Sequence, residues 1–271
     1  MSHIPAERCL DIIELLADGA SSLPLGDIAD RLDLPKSGAH RLLATLVDLG
    51  WAEKDPETGF YRLTMRLAIL GQRFYVASGI PDICQPLLDK LAAESREFAR
   101  LAIVDGGSLI WLAHAQGAVS GLLYQPSIHI SKVPLHVTAT GKAWLATLSH
   151  EDALQHVLKS GLKEPGRYGP NAISSIETLM AELKVTLKRG YGVAFNEAEP
   201  GVTAVAAAIR DDASGKSMGT VSIAGPSARM TDARIAELGA LVVRSAAELA
   251  RLWPLRPRRF RAFASEMLAA A

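Results

Sequence analysis

The sequence is poor in the residues that would make several functional classes easy to assign. Only two cysteines, Cys9 and Cys84, occur in 271 residues. That is too few for a disulfide framework or a structural zinc site, and it fits a reducing compartment. There is no excess of charge: 29 Lys and Arg balance 29 Asp and Glu. Any basic surface must therefore be local. No uninterrupted apolar run approaches the ~20 residues that a membrane-crossing helix needs. The opening "MSHIPAERCLDIIELL" carries charges inside its apolar run and lacks the shape of a signal peptide. The expectation is a soluble, cytoplasmic chain. Internal repeats and low-complexity tracts are missing too. So are a GxSxG elbow, a phosphate loop and a dinucleotide fingerprint. His114, His129, His136, His150, Cys84, Glu197 and Glu199 show neither HxxxH nor CxxC spacing. No catalytic residue, metal or cofactor is expected.

What is present is apolar: 49% of the residues are hydrophobic, enough to bury a sizeable core and to exclude global disorder. Leu10, Ile13, Leu16 and Ala17 recur at helical spacing, with Gly19 as a stop. A second stripe, Leu25, Ile28, Ala29 and Leu32, follows Pro24, which suits a first turn. Pro35 breaks the pattern by disfavouring helix at Leu34. A third stripe runs from Ala39 through Leu42, Leu43, Leu46 and Leu49 to Gly50, and "WAEKDPETGFYRL" reads as a hairpin around a Pro-Glu-Thr-Gly turn. Helix, helix, turn, helix, hairpin is the order of a winged helix-turn-helix, expected over residues 1–64. A linker helix is expected over 65–80, an α+β domain over 81–254, and a basic tail over 255–271.

The second half changes texture. "ARLAIVDGGSLIWLAHAQ" reads as two apolar strands around an Asp-Gly-Gly-Ser turn. Ser174 and Glu177 suggest a capping box opening a helix that ends before Gly190. "YGVAF", "GVTAVAAAIRD" and "SMGTVSIAGP" are strand-like, and Thr231 to Leu252 forms a long terminal helix. Strands and helices in these runs predict an antiparallel sheet with helices.

Two stretches carry the functional signal. In "LDLPKSGAHRLLATLVDLGW", positions 37, 40, 41, 44 and 45 share one helical face opposite the leucines. Lys36 and Arg41 suit phosphate or guanine, and Ser37, His40 and Thr45 suit base edges. Lys54 and Arg62 would charge the wing. The same face also suits a plain solvated helix. Residues 1–80 hold 8 Lys and Arg against 11 Asp and Glu, so DNA binding would rest on a one-sided basic edge and two half-sites. In "PLHVTATGKAWLATL", Thr138 or Thr140 can cap a helix near Gly141. Its first amides would then favour an anion, and Gly141 would admit a ligand or another backbone at close range.

At these residues the chain resembles the IclR family of bacterial transcriptional regulators. "PKSGAHRLLATLVDLGWAEKD" is similar to that family's recognition helix and wing. "VPLHVTATGKAWLA", "GYGVAFNEAEPGVTAVAAAIRD" and "VSIAGP" are similar to its effector-domain signatures. The resemblance spans about residues 5–250. It implies a winged helix-turn-helix, a linker helix, a GAF-like effector domain, and a homodimer or dimer of dimers bound to double-stranded operator DNA. It also implies an effector pocket lined by Leu122, Tyr124, Thr138, Ala139, Thr140, Gly141, Ala204, Ser222 and Ala224. Ala194 and Ala204 stand where members sensing small keto acids tend to carry Asp and Cys. An aromatic or bulkier organic acid is therefore expected over glyoxylate or pyruvate. Repression of a catabolic operon is the family behaviour carried over. Activation, an enzyme on the second domain, and a winged helix that binds protein are the alternatives. On the enzyme question, His136 reads as a hydrogen-bonded strand-end residue, Glu197 and Glu199 as solvated loop carboxylates, and Cys84 as packing.

Overall fold

A computed structural model describes residues 5–18, 22–119, 121–126, 132–162 and 168–253. The tail expected over 255–271 and His129 lie outside the described residues. The chain divides into two compact units, Met1–Ala77 and Ser78–Ala271.

In the first unit, the three apolar stripes become α1 (Pro5–Ala17), α2 (Leu25–Arg31) and α3 (Lys36–Asp48). Ile12, Leu16, Ile28, Leu43 and Leu46 converge with Ala52 and Tyr61 in one small core. The periodicity that wrote the helices therefore also wrote their packing. Leu32 closes α2, and Asp33 turns the chain at φ 49°. Pro35, extended at ψ 134°, leads into α3. The hairpin is β1 (Ala52–Lys54) and β2 (Tyr61–Leu63), antiparallel, with Glu53 opposite Arg62. Its turn is fixed by Asp55, whose carboxylate accepts the amides of Glu57 (2.9 Å) and Thr58 (2.8 Å). Leu23 bridges to Tyr61 and adds a third, minimal strand. Trp51 finds its role here. The Arg66 guanidinium lies over its ring at 4.9 Å and also donates to the Leu49 carbonyl. These contacts tie the start of α4 (Arg66–Ala77) to the end of α3. No residue of α4 is buried.

The second unit opens with α5 (Ile80–Ser95). Gly79, at φ 73°, separates α5 from α4. Five antiparallel strands follow: β3 (Phe98–Asp105), β4 (Ser108–Gln116), β5 (Gly192–Phe195), β6 (Val202–Arg210) and β7 (Ser217–Pro226). Their spatial order is β4-β3-β7-β6-β5. Gly106 and Gly107, both at positive φ, make the tight β3–β4 turn. Around the sheet lie α6 (Ala139–Leu145), α7 (His150–Ser160), α8 (Ile176–Arg189) and α9 (Asp232–Leu252).

Strand alternation separates two faces. Ala206 and Ala194 pack against Ala139 and Ala143 of α6. Val205, Ala207 and Ile209, at the intervening positions of β6, are fully buried on the other face. The α6 face is built of small residues because the helix comes close. A Cβ on Gly192 would lie 2.4 Å from the Ala139 carbonyl oxygen. A second core joins α6, α7 and α8 through Trp144, Leu145, Val157, Leu179 and Leu183. Two local expectations shift. The cap of α8 is Ser175, whose hydroxyl accepts from the Thr178 amide, and not Ser174. His136 sits in the turn before α6, not at a strand end. No helix among the described residues is long and apolar enough to cross a membrane.

Candidate functional sites

On α3, the apolar face buries Ala39, Leu43 and Leu46, which leaves Lys36, Ser37, His40, Arg41 and Thr45 exposed on the other side. The Thr45 hydroxyl donates to the Arg41 carbonyl (3.0 Å), so toward a ligand it offers its lone pairs. The side chains of Lys36, His40 and Arg41 have no ion-pair or hydrogen-bond partner among the described residues. Their charge and donors are available to an incoming anion. The wing differs. Arg62 is paired with Glu53 at 2.6 Å, and Lys54 lies over the Tyr61 ring at 5.5 Å. Both side chains are exposed, but the Arg62 charge is already shared with Glu53 through Nε, which leaves its terminal amino groups to meet a phosphate.

In the second unit, a cavity of about 290 Å³ opens between the start of α6 and the small-residue face of the sheet. Of the residues expected there, Tyr124, Thr138, Ala139, Thr140, Ala204, Ser222 and Ala224 line it. Leu122 does not: its side chain is exposed, and its carbonyl accepts from Arg229 at 2.7 Å. Gly141 does not line it either. Its amide donates to Thr138 Oγ1 (2.9 Å), and a Cβ there would meet the Leu135 backbone at 2.3 Å. Gly141 is a glycine for the sake of its own chain, the second of the two reasons the sequence allowed. Thr138 spends its hydroxyl on this cap and on the Pro134 carbonyl (2.7 Å). With α6 only 7 residues long and the Gly141 amide occupied, the charge of the cavity comes from elsewhere.

It comes from Arg100, which the sequence reading passed over together with Trp111, Tyr168, Ala198 and Val202. Arg100 stands on β3 beside Ser222 of β7, with its guanidinium 4.2 Å from the Trp111 ring centroid and 5.6 Å from that of Phe98. Burial lowers its pKa, and the nearby Tyr124 and Glu199 oppose that shift. A lone cation inside the apolar run "ARLAIV" was the available signal. Glu199 is exposed but not simply solvated: it accepts the Tyr124 hydroxyl at 3.0 Å and forms part of the cavity wall. Burial pushes the Tyr124 phenol well above its ordinary range, with Glu199 adding to the effect.

Glu197 overturns its expectation more fully. It is buried and meets the Lys142 ammonium at 2.6 Å, although Lys142 is itself only 1% exposed. Lys142 also donates to the Val193 carbonyl (3.0 Å). Burial pushes the Glu197 carboxyl up, while the neighbouring ammonium pulls it back. The pair fastens α6 to the loop that carries Ala198 and Glu199. Asn196, at φ 53°, holds the same loop by accepting the Gly201 amide (2.8 Å). His136 is buried edge-on to Tyr168, with its Nε2 unpartnered among the described residues. Burial, then Lys142, lowers its pKa. Cys84 is fully buried, and burial pushes its thiol up to about 12, so it packs. Among the described residues, no cluster of His, Cys, Asp and Glu is placed to hold a metal.

A winged helix-turn-helix with an exposed cationic face, joined in one chain to an α+β unit holding a small cavity, defines a DNA-binding transcriptional regulator. Comparison with known proteins makes this specific. The model of the IclR helix-turn-helix domain matches residues 5–56, and that of the bacterial transcriptional regulator IclR C-terminal domain matches residues 74–251. The chain belongs to the IclR family of bacterial transcriptional regulators. It is 31% identical to the acetate operon repressor of Salmonella typhimurium over 89% of this chain and 87% of that one. It is 32% identical to the HTH-type transcriptional regulator BhcR of Paracoccus denitrificans over 90% and 85%. Among solved structures, an IclR transcriptional regulator of Alicyclobacillus acidocaldarius superposes with a TM-score of 0.76 at 23% identity, covering 93% of this chain and 99% of that one. An IclR homologue of Microbacterium hydrocarbonoxydans, solved with 4-hydroxybenzoate, gives 0.69 at 23% identity over 92% and 98%.

Proposed function

We propose that this protein is a cytoplasmic repressor of a catabolic operon, working as a homodimer or dimer of dimers whose operator binding responds to a small organic acid. The observation that carries the reading is the exposed set Lys36, Ser37, His40 and Arg41 at the start of α3, without side-chain partners among the described residues, where a recognition helix meets base edges and phosphates. Thr45 lies one turn further along, and Lys54 and Arg62 supply the wing. Repression is supported by the relatives named as repressors.

Self-association is supported by charge and by apolar exposure. The DNA-binding unit has few cations to spend, so two half-sites are needed for a useful number of phosphate contacts. Helix α4, the linker of this reading, exposes Ile69, Leu70, Phe74 and Val76, a row that a second copy would cover. The effector cavity is the one beside α6, with Tyr124, Thr138, Ala139, Thr140, Ala204, Ser222 and Ala224 in its wall. Its volume sits at the lower edge of the ~300–1,000 Å³ range of ligand sites, and the Microbacterium homologue solved with 4-hydroxybenzoate supports a small aromatic acid as the ligand class. Its role in this reading is sensing, supported by the chain's membership of a family of transcriptional regulators. Ligand binding regulates only by favouring one arrangement of the paired DNA-binding units over another.

Two measurements test this. Binding to DNA flanking the protein's own gene should weaken steeply with salt, and an acid effector should both raise the melting temperature and change that binding. Absence of binding to any DNA at low salt would leave a protein-binding winged helix in its place.

A further inference from the structure

We propose that Arg100 selects the effector: its guanidinium takes the carboxylate of an aromatic monocarboxylic acid, while Glu199 turns away acids with a second carboxylate. This rests on the effector reading of the cavity and extends it to the number and position of the ligand's charges.

Arg100 is the one cation among the described residues lining the cavity. Its guanidinium has no hydrogen bond or ion pair among the described residues and is held by rings instead. Trp111 lies at 4.2 Å and Phe98 at 5.6 Å. Phe98 is braced in turn by His114, stacked at 5.6 Å, and by Tyr124, edge-on at 5.8 Å. Stacking fixes the plane of a guanidinium and leaves its N–H edge free, the geometry that grips a carboxylate with two parallel hydrogen bonds. Directly across β3–β7, Ser222 faces the same cavity. It is nine-tenths buried, and its hydroxyl has no partner among the described residues, so a second donor stands beside the first.

The remaining walls decide the rest of the ligand. Ala194, Ala204, Ala224 and Val202 are apolar and small, which suits the flat faces of a ring. The acid in the wall, Glu199, makes no ion pair with Arg100. It is held by the Tyr124 hydroxyl at 3.0 Å. A monocarboxylate spends its one charge on Arg100, whereas a dicarboxylate must place a second negative charge in a cavity whose wall already holds Glu199. Burial makes the guanidinium's charge costly, and Tyr124 and Glu199 offset only part of that cost, so an arriving carboxylate gains more than it would in water.

The test is calorimetric titration of the full-length protein with benzoate, 4-hydroxybenzoate, their two carboxamides, terephthalate and pyruvate. In the native chain an aromatic acid should bind at least about tenfold tighter than its amide, the scale of a lost charge-assisted hydrogen bond. Arg100→Gln should erase that preference by weakening the acid and leaving the amide unchanged, and Arg100→Lys should restore part of it. Glu199→Gln should admit terephthalate at least about tenfold more tightly. Equal binding of acid and amide to the native chain, which needs no variant to fold, overturns the proposal. So does an acid–amide preference that survives in Arg100→Gln, or a terephthalate affinity unmoved by Glu199→Gln. In these cases the cavity remains an effector site. Failure of every acid, aromatic or aliphatic, to bind overturns the effector reading itself.

Discussion

The two units place their charges in opposite situations. On the first, Arg62 and Glu53 pair across the wing with both side chains at least half exposed. On the second, Lys142 and Glu197 pair at the same 2.6 Å with almost no exposure. The distances are equal and the energetics are not. An exposed pair exchanges partners cheaply, because water compensates either ion when they part. A buried pair holds two segments in register, because neither ion can be left alone. A surface whose cation is to turn from its own carboxylate toward a phosphate belongs to the first kind. A scaffold that must keep a cavity open belongs to the second.

The sharpest way to break this contrast is to remove one cation from each pair. Lys142→Met leaves Glu197 buried and uncompensated and should cost about 3–5 kcal/mol of stability in urea unfolding. Arg62→Met should cost no more than about 1 kcal/mol. Similar losses in the two variants would show that burial does not separate the pairs. A middle-sized effect concerns function alone. Arg41→Ala should weaken operator binding by about 1–3 kcal/mol without moving the unfolding midpoint. An unchanged operator affinity would remove Arg41 from the interface.

The smallest effect is a pH dependence confined to the second unit. His136 titrates below its ordinary value in the folded chain, so the unfolded chain binds more protons than the folded one just below ~6.5. Its contribution is therefore intact above ~6.5 and is lost as the pH falls toward the folded value. His114 shifts in the same direction, through burial and then Arg100. His136→Asn should flatten the decline of stability on acidification, as read by urea midpoints from pH 7.5 to 5. A slope identical to that of the native chain would assign the acid sensitivity to other groups.

Local pattern carried most of the first unit. Each helix announced itself by an apolar stripe and a proline or glycine boundary. The face opposite Leu43 and Leu46 had to be exposed, so Lys36, His40 and Arg41 were legible as surface residues. The second unit was legible as strands and helices, but its site was not. On paper Ser174, three residues before Glu177, is the better cap, yet in the fold Ser175 accepts the Thr178 amide. Glu199 looked like a solvated loop carboxylate because Tyr124, its partner, is 75 residues away. Lys142 and Glu197 are 55 residues apart, and no spacing rule connects residues on a helix and a distant loop.

By itself, then, the sequence determined which segments coil or extend and which side of each meets the core. Those choices depend on neighbours within a turn or two and on the removal of apolar surface from water. Tertiary structure alone decided which charges are buried, which hydroxyls are spent, and that Gly141 serves its own backbone while Arg100 faces a cavity. Such outcomes turn on distances of a few ångströms between segments far apart in the chain, where the dielectric surroundings are created by the fold itself.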